Sequence, residues 1–580
     1  MSQQNKIIAS FLLINIFSFF GCTEAISADL IFKNGVVYTV NEDNPKVSAV
    51  AVKDGKIIDV GFDADMEPYI GRGTKIIDLE GLAMVPGFIE SHGHIMGLGS
   101  SKINLDLNGV KNYDEIVKMV SKAAEGTEPG EWILGRGWHQ SKWTTQPEVM
   151  VKGFQTHHKL SEVSPDNPVY LTHASGHAGF ANAKAMEFAG VLSGGDFNID
   201  LGDEIFIERD DGEIIRDENG EPTGIFNEVA QRVISKHIPS EDDGYRDRSL
   251  ELAIQECLMH GVTSFQDAGS GRASIDTYRR FLSSGKMKIR LYVMLTSRDP
   301  KLLYQWYERG PEIGLGDNFL TIRAIKLNAD GALGSRGAWL LSEYSDRPGH
   351  FGMSTQSMDY VYEVTQKGLL TGFQVNTHAI GDRANREVLD QYEKVFKEYP
   401  SASIDHRFRI EHAQHIDPDD IPRFKKLGVI ASVQGIHMSS DRPWAIHRLG
   451  KKRIQEGAYV WKSLLKSGAV VINGTDAPVE PVSPIASFYS SVSRKTLEGD
   501  PEGGYEWWEK MTRGEALKSY TLAAAYGAFE EDIKGSIEVG KLADFAVLSR
   551  DIMTIPEDQI LGAKIIYTIV NGEIAYQAKP

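Results

Sequence analysis

The alternation of apolar and polar positions divides the chain into three textures. After residue 25 come short apolar runs broken by turn dipeptides. Ala28–Val40 carries two such runs around Asn34-Gly35, Ala49–Val60 reads as a hairpin turning at Asp54-Gly55, and Lys75–Gly81 reads as another strand and turn. The far end has the same texture. Leu542–Leu548 reads as a strand and Lys564–Tyr576 as a strand pair turning at Asn571-Gly572. Two β-rich ends around an α/β middle predict a small β-sandwich domain built from both termini, over residues 26–84 and 535–580.

The middle alternates strand-length apolar runs with helical stretches, the pattern of a parallel α/β fold. Strands are predicted to end near His92, Asp267, Met294, Lys326, His378, His412, Gln434 and Asp476. Eight such strands predict a (β/α)8 TIM barrel over 85–534, with Val85–Ile89 as the body of its first strand. The stretch from about 98 to 250 holds further short strands and is expected to be an insertion covering the barrel mouth. Within it, Asp203–Glu221 reads as a solvated hairpin, not a calcium site, because turn signals at Asp211-Gly212 and Asn219-Gly220 divide its carboxylates.

Composition changes this picture in three places. A formal net charge of −18 argues against a nucleic-acid or anionic-lipid partner, either of which calls for a basic surface. Sixteen His stand against two Cys, and Cys22 and Cys257 cannot staple a chain of 580 residues or build a thiolate metal site. Any metal must therefore be held by His and carboxylates. Finally, Lys6 is the only charge before the apolar run Ile7–Phe20, which is short for a bilayer span and suits a signal h-region. Ser18-Phe-Phe-Gly-Cys22 resembles a bacterial lipobox, although Phe19 and Phe20 depart from its usual residues. Thr23-Glu-Ala25 offers an ordinary cleavage site instead, and a buried N-terminal helix is the third reading. Residues 1–25 are thus expected to be a signal peptide, and the mature protein an exported bacterial one, periplasmic or tethered to a membrane by a lipid on Cys22.

The candidate chemistry lies at the strand ends. His92-Gly-His94 closes the first apolar strand, and i and i+2 side chains of an extended chain share a side, so two imidazoles can grip one ion. Phe373–His378 and Phe408–His412 each end an apolar run in His, and Val470–Asp476 ends one in Asp. Taken singly, each His could be a satisfied core residue and Asp476 a turn cap. Four coincidences at one rim point instead to a bound cation offsetting the cost of burying these groups.

Pro86-Gly-Phe-Ile-Glu-Ser-His-Gly-His94, followed by His378, His412 and Gly474-Thr-Asp476, resembles the amidohydrolase superfamily, and Gly535–Phe545 resembles its C-terminal signature. Lys326–Ala338, His378–Ala384, Arg409–Gln414 and Asp476–Glu480 resemble the amidohydrolase family 3 branch that contains N-substituted formamide deformylase. The resemblance runs from about Asp29 to the end. It implies that His92 and His94 bind the more buried metal, and that Lys326 ligates as its N-carboxylated form. His378 and His412 supply the remaining imidazoles and can stabilise an oxyanion, while Asp476 binds metal and acts as general base. One or two divalent ions, zinc on ligand type, fit this set. Glu90 stands where the family more often has Asp. Gln140, His173, His177 and Arg336 are candidates for substrate contact, with Arg336 and Asp382 candidates for an ion pair or the pocket wall. Trp138 and Trp143 are expected in the core.

The implied activity is hydrolysis of an amide-like C–N bond of a small molecule, of N-substituted formamide or N-acyl amine type. A deaminase or cyclic-amide hydrolase would use the same centre. A non-catalytic metal- or ligand-binding lipoprotein is the reading of another class, which loss of Asp476 would have favoured. Related barrels pair, so a homodimer is the family expectation.

Overall fold

The computed structural model describes residues 26–579 apart from 141–142, 175, 177, 192–198, 201–204, 207–211 and 240. The expected targeting segment with Cys22, and His177, lie outside the described residues.

Eight parallel strands form the centre: β1 (Phe88–Gly93), β2 (Val262–Ser270), β3 (Arg290–Thr296), β4 (Leu320–Asn328), β5 (Gln374–Ala379), β6 (Arg409–His412), β7 (Ile430–Gln434) and β8 (Val471–Gly474). They pair in chain order, and the end of β8 returns to β1. Asp476 N donates to His92 O at 2.8 Å and His94 N to Ala477 O at 2.7 Å. The strands are buried on both faces, which is why they read as near-continuous apolar runs. Helices between them present one apolar stripe inward. Asp382–Glu398, after β5, buries Ala384, Val388, Leu389, Tyr392 and Val395 at helical spacing. Helix starts follow local chemistry: Asp299 accepts from Leu302 N with Pro300 in the first turn, and Ser483 accepts from Ala486 N ahead of Pro484–Ser493.

Polar groups inside the barrel are paired at the strands' N-terminal end. Arg409 and Gln374 open β6 and β5 and donate to Gly527 O, and Gln266 on β2 donates to Ala524 O at 3.0 Å. Helix Leu522–Gly527 therefore closes the end of the barrel away from the strand C-termini.

Strands from both chain ends make two smaller sheets. One has the order Lys56–Gly61, Ala49–Lys53, Leu30–Lys33, Lys75–Asp78. The other runs Glu573–Gln577, Ile565–Val570, Phe545–Leu548, Ala83–Pro86, Val36–Tyr38, Lys46–Val47. Phe32, Val52, Met84, Phe545 and Ile569 share one core, with the Phe32 and Phe545 rings edge-on at 5.8 Å. The first barrel strand differs from expectation. Val85–Ile89 is not one strand: Ala83–Pro86 pairs antiparallel with Phe545–Leu548, and the barrel strand begins at Phe88. The chain crosses between sheets at Gly87, whose N donates to Asp544 O at 2.9 Å and where a Cβ would meet Thr263 Oγ1 at 2.2 Å.

The long segment between β1 and β2 builds a further six-stranded sheet over Leu105–Glu228, with Trp138, Leu171, Phe180 and Ile225 in its core. Trp138 and Trp143 are buried there, and Trp138 Nε1 donates to Leu171 O at 2.8 Å. Asp217, in the turn before Pro222–Glu228, accepts from the Asn219 and Glu221 amides, so it serves the hairpin itself. Among the described residues no helix is long and apolar enough to cross a membrane.

Candidate metal centre

The C-terminal strand ends bring His92, His94, Lys326, His378, His412 and Asp476 to one rim. His92 lies in β1 and His94 caps the helix Ile95–Ile103 that follows. Their rings sit edge-on at 5.8 Å. His94 Nε2 and His92 Nε2 stand 3.2 and 3.6 Å from Asp476 Oδ1. Lys326 Nζ lies 3.3 Å from His92 Nε2. The His412 ring is 4.7 Å from that of His92 and 4.4 Å from that of His378. Only His94 among them has a substantially exposed side chain, at 43%, so the centre opens to solvent on its side.

Two backbone departures make this convergence possible. On a regular strand Glu411 and His412 would face opposite ways. His412 has φ 76°, which turns its ring back so that both neighbours reach His92. Asp476 has φ 59° just past β8. Non-glycine residues in this region store strain of order 1–3 kcal/mol and collect at functional sites.

A layer of acceptors stands behind the imidazoles. Glu411 Oε2 contacts His92 Nδ1 at 2.5 Å with both groups fully buried. Gln434 Oε1 contacts His412 Nδ1 at 2.8 Å. Asp330 differs: it accepts from the Ile380, Gly381 and Trp339 amides and lies 3.4 Å from His378 Nε2, the ring nitrogen that makes no hydrogen bond. Glu90 is not a rim ligand. It accepts from Thr475 N and Oγ1 at 2.7 and 2.8 Å and from His92 N at 3.1 Å, lacing β8 to β1.

The charge states follow from burial. Burial pushes the His92 and His412 rings below the usual range and His378 down to about 3. Burial thus disfavours the imidazolium form and favours the form with a lone pair for an ion. Burial, opposed by Glu411 and Asp476, lowers the Lys326 amine. Burial alone would raise Glu411, but His92, Arg409 and Lys326 outweigh it and hold the carboxyl at about 2. Asp476 is held well below the carboxylate range against burial by His94, His92 and His412. Glu90, surrounded by protein, is pushed up to about 8 by burial.

These residues fit a bound cation. Tetrahedral ligands about 2.1 Å from an ion stand about 3.4 Å apart, close to the 3.2 and 3.6 Å separations at Asp476 Oδ1. His92, His94 and Asp476 form one group of converging ligand atoms; His412, His437 and Asp476 form a wider one, in which His437 Nε2 stands 4.0 Å from Asp476 Oδ2. His378 Nε2, His437 Nε2 and Asp476 Oδ1 are buried without a hydrogen-bond partner, as atoms awaiting a ligand would be.

The remaining described candidates have these contacts. Arg336 forks onto Asp346 at 3.1 and 2.9 Å. The expected pair with Asp382 is not made: Asp382 accepts from Leu341 N and faces His415 Nε2 at 3.3 Å. His173 is buried beside His139 and Trp138, at ring separations of 4.5 and 4.6 Å. Gln140 Oε1 is buried without a hydrogen-bond partner. Sequence reasoning assigned no role to Glu411, Asp330, Gln434 or His437. Glu411 carried a signal, as a carboxylate adjoining a ligand His, but strand alternation hides its reach.

The model of the amidohydrolase family matches residues 75–576. The chain is 33% identical to the protein LONG AFTER FAR-RED 3 of Arabidopsis thaliana, covering 95% of this chain and 92% of that one. It is 32% identical to the putative amidohydrolase YtcJ of Bacillus subtilis (94% and 99% covered), and 27% identical to the N-substituted formamide deformylase of Arthrobacter pascens (95% and 98%). Among solved structures, an uncharacterized metal-dependent hydrolase from Pyrococcus horikoshii superposes with TM-score 0.74 at 27% identity, covering 91% of this chain and 99% of that one.

Proposed function

Because the chain belongs to the amidohydrolase family, we propose that it is a zinc-dependent hydrolase of a non-peptide amide bond, with N-substituted formamides or N-acyl amines as its substrate class. The observation that carries this is the set of imidazoles converging with Asp476 at metal-ligand spacing on the barrel rim. The substrate class rests on the deformylase relative.

His92, His94 and Asp476 would hold one ion, and His378 and His412 the remaining position. Lys326 would join both as a carbamate, since an ammonium cannot ligate and the buried amine is biased towards its reactive neutral form. A divalent ion held there would lower the pKa of water and polarise the acyl group. Asp476, ionised and beside His94, takes the proton of the attacking water and returns it to the leaving nitrogen. Glu411 and Gln434 fix the His92 and His412 rings through their Nδ1 atoms. With residues 1–25 as a targeting segment, the enzyme works outside the cytoplasm.

The test is elemental analysis of wild type and Asp476→Asn, with an amide panel run on the same samples. The expected result is one or two zinc per chain, of the order a His/Asp centre holds, and turnover lost in the variant. Protein grown with zinc and bicarbonate that holds no metal and hydrolyses nothing would return the chain to a binding role.

A further inference from the structure

Asp476 has neighbours on two sides, and their spacing differs. On the Oδ1 side the His94 and His92 nitrogens stand at 3.2 and 3.6 Å. On the Oδ2 side His437 Nε2 stands at 4.0 Å. That is too long for a direct hydrogen bond. A shared ion at about 2.1 Å from each atom would need a ligand–metal–ligand angle of about 145°, far from tetrahedral. A single nitrogen or oxygen about 2.8 Å from each would subtend about 90° and hydrogen-bond both. The gap is sized for one atom of a bound molecule.

His437 is also held as a working residue would be. It lies in the first turn of helix Gly435–Gly457, directly after β7. Gly435 N donates to Asn473 Oδ1 at 2.9 Å and Ile436 N to Ser487 Oγ at 3.0 Å, which fixes that turn on β8 and the helix after it. Further along the helix, Arg442 forks onto buried Glu506. The His437 ring stacks over that of His412 at 6.1 Å, and its Nε2 is buried with no partner. Buried polar atoms are nearly always paired, so this atom's partner comes from outside the chain.

We propose that His437 is a further catalytic residue, the acceptor that binds the N–H of the scissile amide while Asp476 delivers a proton to the same nitrogen. The proposal rests on the reading of the centre as an amide hydrolase. As the C–O bond to the water oxygen forms, that water's proton passes to Asp476. The C–N bond then breaks, its electron pair stays on nitrogen, and Asp476 gives the proton to that pair. The N–H already present donates to His437 Nε2, which holds it as an acceptor while the proton transfer runs through Asp476 alone. Esters and N,N-disubstituted amides lack this hydrogen, so His437 selects for secondary amides.

The experiment compares zinc-loaded wild type, His437→Ala and the more conservative His437→Asn. Metal per chain is measured first. Calorimetry then compares binding of N-butylformamide with N-butyl-N-methylformamide, and turnover compares N-butylformamide with butyl formate. The expected result is unchanged metal content and a wild-type preference of ten-fold or more for the N–H formamide that both variants lose. Amide kcat/KM should fall about ten-fold, the scale of one lost hydrogen bond, with ester turnover changed less than three-fold. Metal loss in both variants would make His437 a ligand and overturn the proposal. So would equal or unmeasurable binding of the two formamides by wild type, or a parallel fall of amide and ester rates. If wild type binds with the N–H preference but turns over neither compound, the hydrolase reading and the catalytic role both fail, and His437 is left as a binding residue for the N–H group.

Discussion

Replacing Glu411 tests whether the layer behind the rim prepares the centre for its ion. Its carboxylate is fully buried and meets His92 Nδ1 at 2.5 Å. Glu411→Gln keeps the shape and removes the charge. A hydrogen bond to a charged group contributes about 1.5–3 kcal/mol against about 0.5–1.5 for a neutral one, so the change costs about 1–1.5 kcal/mol. If that energy orients His92 for binding, zinc affinity falls about ten-fold. Glu411→Ala removes the acceptor altogether and should approach 100-fold, the upper range for such partners. The fold should survive, because Arg409, 3.9 Å from Glu411, keeps its bonds to Gln266 and Gly527. Zinc affinity is read by competition with a chromogenic chelator, and folding by the thermal midpoint of the metal-free protein. Unchanged affinity in both variants, with both folded, would refute the argument that Glu411 acts through His92.

Three other outcomes are expected. His406 accepts from Phe408 N at 2.8 Å, contacts Leu427 O at 2.9 Å, and is pushed by burial from 6.5 down to about 4. The unfolded chain binds its proton first, so its contribution is present above pH 6.5 and is lost as pH falls towards 4, up to about 3 kcal/mol. Denaturant melts across that window should show a flatter pH slope for His406→Phe than for wild type, even though the variant is less stable at pH 7. Gly474→Ala places a Cβ 2.3 Å from Glu90 Oε1 and 2.8 Å from His92 N, so a thermal melt should register about 1–3 kcal/mol of destabilisation together with reduced metal content. Chelation of the zinc-loaded protein should lower its thermal midpoint and added zinc should restore it, since an ion at 1,000 times its Kd stabilises by about 4 kcal/mol; a midpoint insensitive to chelator would count against the centre.

The candidate ligands were legible because they fall at the ends of buried strands, and a polar side chain closing an apolar run is visible without coordinates. His92, His378, His412 and Asp476 carried that mark, Lys326 entered through the family resemblance, and apolar runs with turn dipeptides marked the terminal hairpins at Asp54-Gly55 and Asn571-Gly572. The sequence by itself determined the strand order, the family and the rim to which the chemistry belongs. Only the tertiary structure decided which groups stand behind and beside that rim. Glu411 reaches His92 because β6 and β1 face one another across the barrel and His412 leaves strand geometry. Glu90 turns from the rim to bind Thr475, because barrel closure sets β8 against β1. His437 meets Asp476 because the helix after β7 starts beside β8, although the two residues lie far apart along the chain. Local spacing records what each strand offers. Which offers meet depends on register and closure, and these follow from packing the whole barrel.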